Sequence, residues 1–167
     1  KGKLIGWFQG KMEFGQRALG NRSILADPRE SSMKDTINNA VKYREEFRPF
    51  APAILDEYTR EYFEIGKDES VNYMEKVFKI KLDKRQEIPA VTHVDGSGRL
   101  QTVNKNTNPM FYNLISKFFE ISGVPVVLNT SFNVKGEPIV CSPDDAIKTF
   151  YNCGLDILIL GSFVIKK

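Results

Sequence analysis

Residues 108–131 read NPMFYNLISKFFEISGVPVVLNTS, and this stretch decides the fold class. Asn108 and Pro109 fit an N-cap and a first helical position, where the missing proline N–H costs nothing. Met110, Phe111, Leu114, Ile115, Phe118 and Phe119 then recur at helical spacing, so one face of the segment is apolar. Gly123 stops the helix. Val124–Leu128 follows as an unbroken hydrophobic run, read as a buried strand, which gives way to the polar Asn129-Thr130-Ser131. A helix that turns directly into a buried strand is the working unit of an α/β domain.

The same alternation continues outward. Downstream, Ser142 caps a second helix, with Pro143 first, Asp145 completing a capping box and Gly154 as stop. Leu155–Leu160 and Phe163–Ile165 close the chain as strands. Upstream, Leu4–Phe8 reads as a short strand, and GKMEFGQRALGNRS (10–23) as a glycine-punctuated loop leading to a strand near Ser23–Ala26. Beyond the Asp27-Pro28 break, Ser32 is placed to cap a helix, with Asp35 three residues on. Met33, Ile37, Ala40 and Val41 share the face of that helix. Ala51–Leu55 reads as a buried strand, Asp56–Phe63 as a short helix, 66–72 as a polar flexible insertion and Met74–Leu82 as an alternating strand. Ala90–Val94 and Arg99–Val103 flank Asp95-Gly96-Ser97-Gly98, which predicts a hairpin. Hairpins beside strand–helix–strand units give one α/β domain with a mixed sheet.

The 167 residues are enough for one domain with a sizeable core. Hydrophobic content of 41%, charged content of 27% and a formal net charge of +3 describe an ordinary globular composition. So small a basic excess argues against a large nucleic-acid surface, while leaving room for a compact cationic pocket. Cys141 and Cys153 are too few and too far apart for a disulfide framework, and one histidine offers no zinc constellation; no metal site is expected. No apolar run reaches the ~20 residues of a membrane span, and no signal peptide opens the chain, so a cytoplasmic setting without a membrane is the default. The chain opens at Lys1 rather than Met, which reads as a domain excised from something longer.

Four segments carry polar groups that a core does not need. In GQRALGNRS, Arg17 and Arg22 stand between glycines, where a backbone approaches a ligand closely and a guanidinium matches phosphate or carboxylate. Two surface arginines in a loop explain the segment equally well, and neither GxxxxGK[ST] nor GxGxxG is present. In KYREEFRPFAP (42–52), Lys42 and Arg44 suit a helix end, whereas Arg48 enters a buried strand and calls for a partner: Glu45, Glu46 or a bound anion. In THVDGSGR, Thr92, His93 and Arg99 stand together, although a lone histidine is more often packed than catalytic. In VVLNTSFNVKGEP, Asn129 and Ser131 sit at a strand's carboxyl end, where open α/β sheets bind ligands; an ordinary side-chain-stabilised turn is the alternative. No nucleophile stands beside a base. Cations with polar donors suit stabilisation of phosphate charge, as in phosphoryl and nucleotidyl transfer.

Four long words in one order, GWFQGKMEFGQRALGNRSILADPR, KYREEFRPFAP, THVDGSGRLQTV and PVVLNTSFNVKGEPIVCSPDDA, resemble the carboxy-terminal domain of the NodU/CmcH family of O-carbamoyltransferases. Gln16 departs from the proline usual before Arg17. The resemblance implies a YrdC-like twisted mixed sheet with surrounding helices and a concave positive surface. It also implies use of carbamoyl phosphate and ATP, with Mg²⁺ on the nucleotide, to form carbamoyl adenylate and pyrophosphate. An amino-terminal ASKHA-type domain, which holds iron or another metal, would then pass the carbamoyl group to an acceptor hydroxyl. By motif, Arg17, Lys42, Arg48 and Arg99 would hold carbamoyl phosphate and the ATP phosphates. Asn129 and Ser131 would contact the nucleotide or carbamoyl group, with Thr92 and His93 nearby, and Arg44 would be solvated or ion-paired. A polyanion- or RNA-binding YrdC-like module and a threonylcarbamoyl-adenylate synthase are the alternatives.

Overall fold

Val126, Val127 and Leu128 are all buried, as a strand covered on both faces must be. The structure, a computed structural model, describes residues 2–43, 48–67 and 69–167. In chain order its strands are β1 (Ile5–Phe8), β2 (Arg22–Ala26), β3 (Ala51–Leu55), β4 (Val77–Lys79), β5 (Ser97–Arg99), β6 (Gln101–Val103), β7 (Val126–Ser131), β8 (Ile157–Leu160) and β9 (Phe163–Lys166). The helices are α1 (Met33–Ile37), α2 (Thr59–Tyr62), α3 (Pro109–Ser122) and α4 (Pro143–Asn152). Seven strands form one sheet in the order β6-β3-β7-β2-β1-β8-β9, and β4 pairs with β5 in a small second sheet. The large sheet is mixed: β1–β8 and β3–β6 run parallel, the other neighbours antiparallel.

Alternate side chains supply a core on each face of the large sheet. Ile24, Ile54, Val126 and Leu128 join Ile37 of α1 and Phe150 of α4 on one face. Leu25, Leu55 and Val127 join Phe111 and Ile115 of α3 on the other. Phe111 and Ile115 are fully buried, a contribution of roughly 1.5–3 kcal/mol each. The ends of both long helices follow from the sequence. Asn108 accepts the Phe111 N–H at 3.1 Å, and Gly123 adopts a left-handed φ of 73°. Ser142 and Asp145 cap each other's backbone N–H.

Elsewhere the local reading needs correction. Ser32 precedes α1, but its side chain makes no cap bond; the Ser32 carbonyl instead accepts from the Thr36 N–H and hydroxyl, both at 3.0 Å. The helix then widens into a π turn over Asn38–Lys42 that ends at Tyr43, a non-glycine residue with φ 44°. Gly154 permits this: its N–H donates to Ala40 O at 2.7 Å, and a Cβ there would stand 2.7 Å from Ala40 Cβ.

The expected hairpin between 90–94 and 99–103 does not form. Pro89–Val91 is a 3₁₀ turn opened by its proline, and the Asp95 carboxylate draws the chain tight by accepting from Ser97 N and Oγ. Ser97–Arg99 is thereby handed to β4, and Gln101–Val103 to β3. The alternating strand over 74–82 shrinks to Val77–Lys79. Nor is the 66–72 segment a simple polar insertion, because Val71 is fully buried and its backbone bonds both Thr102 N and Thr102 Oγ1. No helix among the described residues is long and apolar enough to cross a membrane.

Candidate functional site

The glycine-punctuated loop between β1 and β2 is closed by one carboxylate. Glu13 Oε1 accepts the Leu19 N–H at 2.7 Å and the Asn21 N–H at 2.8 Å, while Gln9 N donates to Asn21 O at 2.9 Å. Gly20 has φ 108° and lies against Phe111 of α3, where a Cβ would come within 2.3 Å of the ring. Only glycine fits that approach. The loop therefore folds back over the sheet and carries Arg17 and Ala18 above the end of β7.

There the central strand turns polar. Asn129, 1% exposed, donates through Nδ2 to Ala18 O at 3.0 Å and to Gln101 Oε1 at 2.8 Å. Gln101 Nε2 donates to Leu19 O at 2.9 Å. The intervening strand presents Ala51 opposite Asn129 and Ala53 opposite Gln101, small residues that leave room for the two amides to meet. Asn129 Oδ1 is buried and has no hydrogen-bond partner among the described residues. Asn129 also lines a cavity of about 70 Å³ together with Arg17, Arg99, Thr130 and Ser131, and Gln16, Ala18, Pro49 and Met74 are in its wall.

Four of the eight residues singled out from the sequence thus share one cavity: Arg17, Arg99, Asn129 and Ser131. Lys42 stands directly behind it. Its ammonium, on a residue 5% exposed, lies 2.6 Å from Ser131 O, 3.2 Å from Ser131 Oγ, 3.0 Å from Asn133 O and 2.9 Å from Asn133 Oδ1. Three protons facing four neutral oxygens hold the end of β7 while keeping the positive charge in place. Ser131 Oγ donates onward to Asn133 Oδ1 at 2.6 Å. Arg48 is exposed and precedes Pro49 of the cavity wall. Arg44, Glu45 and Glu46 lie outside the described residues.

The two loop arginines divide. Arg22, 4% exposed, donates to the carbonyls of Gln9, Asn21, Gly10 and Cys141 and lies 3.5 Å over the Phe8 ring. Burial lowers its pKa, with Glu13 opposing. It is a structural residue. Arg17 makes no hydrogen bond or ion pair with another described residue.

Thr92 and His93 do not line the cavity. The Thr92 hydroxyl donates to Ile88 O at 2.9 Å, closing its own 3₁₀ turn, and its carbonyl accepts from Lys34 Nζ at 2.6 Å. His93 is half-buried. The Ser97 hydroxyl is committed to Asp95 Oδ1 at 2.5 Å, so His93 Nδ1, 3.1 Å away, is the donor to Ser97 Oγ. The other nitrogen, Nε2, is then a bare acceptor, buried and unpartnered among the described residues. Burial lowers the His93 pKa; Asp95 opposes this, and Lys34 and Arg99 add to it, so the ring is neutral at pH 7. Arg99 therefore links the cavity with the His93–Lys34 corner.

Sequence reasoning missed Gln101, Glu13 and Lys34. None stands out by residue type, since Glu13 acts on N–H groups of its own loop, and Gln101 and Lys34 on carbonyls of distant segments. Chemically, the cavity offers guanidinium and amide groups with no carboxylate among its described lining residues, an arrangement for a small anion. Among the described residues no group of three or more His, Cys, Asp or Glu is placed to hold a metal.

Residues 1–167 match the family described as Carbamoyltransferase C-terminus. The nodulation protein NolNO of Sinorhizobium fredii is 52% identical over 99% of this chain, and NolO of Bradyrhizobium diazoefficiens 49% over 99%. The 3'-hydroxymethylcephem-O-carbamoyltransferase of Streptomyces clavuligerus is 38% identical over 88%. The chain spans 25%, 30% and 27% of the lengths of these three relatives. Matched over its full length, the chain belongs to the carbamoyltransferase C-terminus family.

Proposed function

We propose that this chain is the domain of an O-carbamoyltransferase that binds carbamoyl phosphate and ATP and produces carbamoyl adenylate. The supporting observation is the small cavity walled by Arg17, Arg99, Asn129 and Ser131, backed by the buried Lys42 charge and with no carboxylate among its described lining residues. Its ~70 Å³ is the size of a phosphate or carbamoyl group rather than of a nucleotide. The adenosine would lie outside it, with the Arg99–His93 corner as one flank. Atom balance requires carbamoyl phosphate to give up inorganic phosphate to water, after which a carbamate oxygen attacks the α-phosphorus and pyrophosphate leaves. The arginines and the Lys42 charge would offset the negative charge that accumulates on the phosphoryl oxygens during that displacement. Magnesium would arrive on the nucleotide's own phosphates, because the described residues of the cavity lining provide no carboxylate for it.

The remaining length of the relatives leads us to assign the second half-reaction to an ASKHA-type domain carrying iron or another metal. It would pass the carbamoyl group to a hydroxyl of a sugar or natural product, as the name of the cephem relative states for a hydroxymethyl group. A cytoplasmic setting is part of the same proposal, since ATP is the co-substrate. Pyrophosphate release by the full-length protein, with ATP, Mg²⁺ and carbamoyl phosphate omitted in turn, is the test. Release that needs all three supports the assignment, and release indifferent to carbamoyl phosphate overturns it. Steeply salt-dependent RNA binding would favour a polyanion module instead, and a requirement for threonine and bicarbonate a threonylcarbamoyl-adenylate synthase.

A further inference from the structure

The Asn129 amide has only one orientation available to it. Nδ2 donates to Ala18 O at 3.0 Å and to Gln101 Oε1 at 2.8 Å, and Gln101 Nε2 donates to Leu19 O at 2.9 Å. Carbonyls only accept, so the Ala18 and Leu19 oxygens settle which end of each amide is nitrogen. Turning Asn129 over would set oxygen against oxygen at Ala18. Turning Gln101 over would do so at Leu19 and would also set nitrogen against nitrogen at Asn129. Both residues are buried, at 1% and 3% exposure, so no water relieves either mismatch. Asn129 Oδ1 is therefore an obligate acceptor, buried and without a partner among the described residues, on a side chain that lines the cavity. Buried acceptors of this kind are uncommon unless a ligand completes them.

We propose that Asn129 Oδ1 accepts a hydrogen bond from the amide N–H of the carbamoyl group, that Gln101 is the positioning residue holding it there, and that the pair selects carbamoyl over acyl groups. This rests on the reading of carbamoyl phosphate and ATP as substrates. Acetyl phosphate carries a methyl where carbamoyl phosphate carries its NH₂. The two shapes nearly coincide, but only the amide supplies a donor. Arg17 and Arg99, being donors only, read oxygens that both compounds share. Discrimination falls to the one acceptor. Sealing it without a partner is worth roughly 10- to 100-fold in relative kcat/KM.

The experiment measures pyrophosphate release from ATP and Mg²⁺ by the full-length protein, with carbamoyl phosphate or acetyl phosphate. The wild type is expected to favour carbamoyl phosphate at least tenfold. Gln101→Met keeps the length and removes both polar ends, so the Asn129 amide is released and the ratio falls toward one. In Gln101→Glu the protonated carboxyl still accepts from Asn129 and donates to Leu19, and most of the preference returns. A merely structural role for Gln101 would slow both substrates alike and leave the ratio unchanged, which overturns the proposal. Release driven by carbamoyl phosphate with no preference over acetyl phosphate overturns it too, while the proposed function stands. No release with either substrate removes both. If Gln101→Met does not fold, Asn129→Ala decides: loss of the preference supports the proposal and its retention refutes it.

Discussion

Lys42→Met separates a lysine that builds the site from one that grips the ligand. The sequence resemblance implies direct contact with an anion, whereas in the structure the ammonium is surrounded by the end of β7. Nζ lies 2.6 and 3.0 Å from the Ser131 and Asn133 carbonyls and 2.9 Å from Asn133 Oδ1. Hydrogen bonds from a charged donor contribute about 1.5–3 kcal/mol each. Part of that sum is offset, because methionine avoids the cost of desolvating a buried ammonium, several kcal/mol in itself. Some acceptors also keep a partner: Ser131 Oγ donates to Asn133 Oδ1, and Asn133 N to Ser131 O at 3.1 Å. The Asn133 carbonyl does not. The net expectation is a loss of about 2–4 kcal/mol in unfolding free energy. Pyrophosphate release should fall about 100-fold or more, as Ser131 shifts and the local positive charge disappears. Urea denaturation and pyrophosphate release on the same preparation read both effects. A collapse of turnover with stability changed by less than about 0.5 kcal/mol would refute the reasoning, since it would mean that Lys42 serves the ligand and not the strand.

Arg48→Ala is expected to abolish carbamoyl-adenylate formation while leaving folding nearly intact, because the residue is exposed on a segment that leads into the cavity wall; normal turnover would refute it. Arg17→Ala should raise the KM for carbamoyl phosphate about tenfold or more and change stability by less than about 0.5 kcal/mol, as measured by steady-state kinetics and denaturation, since no hydrogen bond or ion pair among the described residues is lost. Gly20→Ala combines a φ of 108° with a Cβ 2.3 Å from the buried Phe111 ring, and denaturation should show a loss of about 2–6 kcal/mol. His93 is the only histidine of the chain, so one imidazole signal reports it, and its NMR titration midpoint should fall below the ordinary 6.5. Because the folded pKa is depressed, the unfolded state binds the proton first. Stability should therefore decline as pH falls through 6.5 toward the folded value, and His93→Gln should flatten that decline.

Legibility followed the range of the interactions. Helices α3 and α4 declare themselves because caps, apolar stripes and stop glycines all lie within about a dozen residues. The hydrophobic strands β2, β3 and β7 are equally plain. The 90–103 region misled because turn residues and alternation describe a hairpin without naming its partner. Asp95 bonds Ser97 and redirects β5 to β4, a choice settled by Val77–Lys79 some twenty residues upstream. The π turn at Asn38–Lys42 depends on Gly154, more than a hundred residues away. The site followed the same rule. Arg17, Arg99, Asn129 and Ser131 stood out as residues a core does not need, while Gln101 read as an ordinary strand residue because its work is done on the carbonyls and amides of two other segments.

Two buried cations show how a chain of modest net charge can still hold positive charge locally. Arg22 and Lys42 are 4% and 5% exposed, and the hydrogen-bond partners described above are neutral oxygens: backbone carbonyls for Arg22, carbonyl, hydroxyl and amide oxygens for Lys42. A carboxylate partner would satisfy the same donors and cancel their field. Neutral oxygens accept from such donors without bringing a full opposing charge. At the cavity, Lys42 acts from directly behind Ser131, and Arg17 and Arg99 act from the wall. Carboxylates in the neighbourhood are spent on other tasks: Glu13 on the N–H groups of Leu19 and Asn21, Asp95 on Ser97 and Lys79. Their negative charge fixes loops, and none of them is among the described residues that line the cavity. Low local dielectric strengthens what remains. A cavity of phosphate size thus needs only a few cations around it to favour an anion, and a large basic surface is not required.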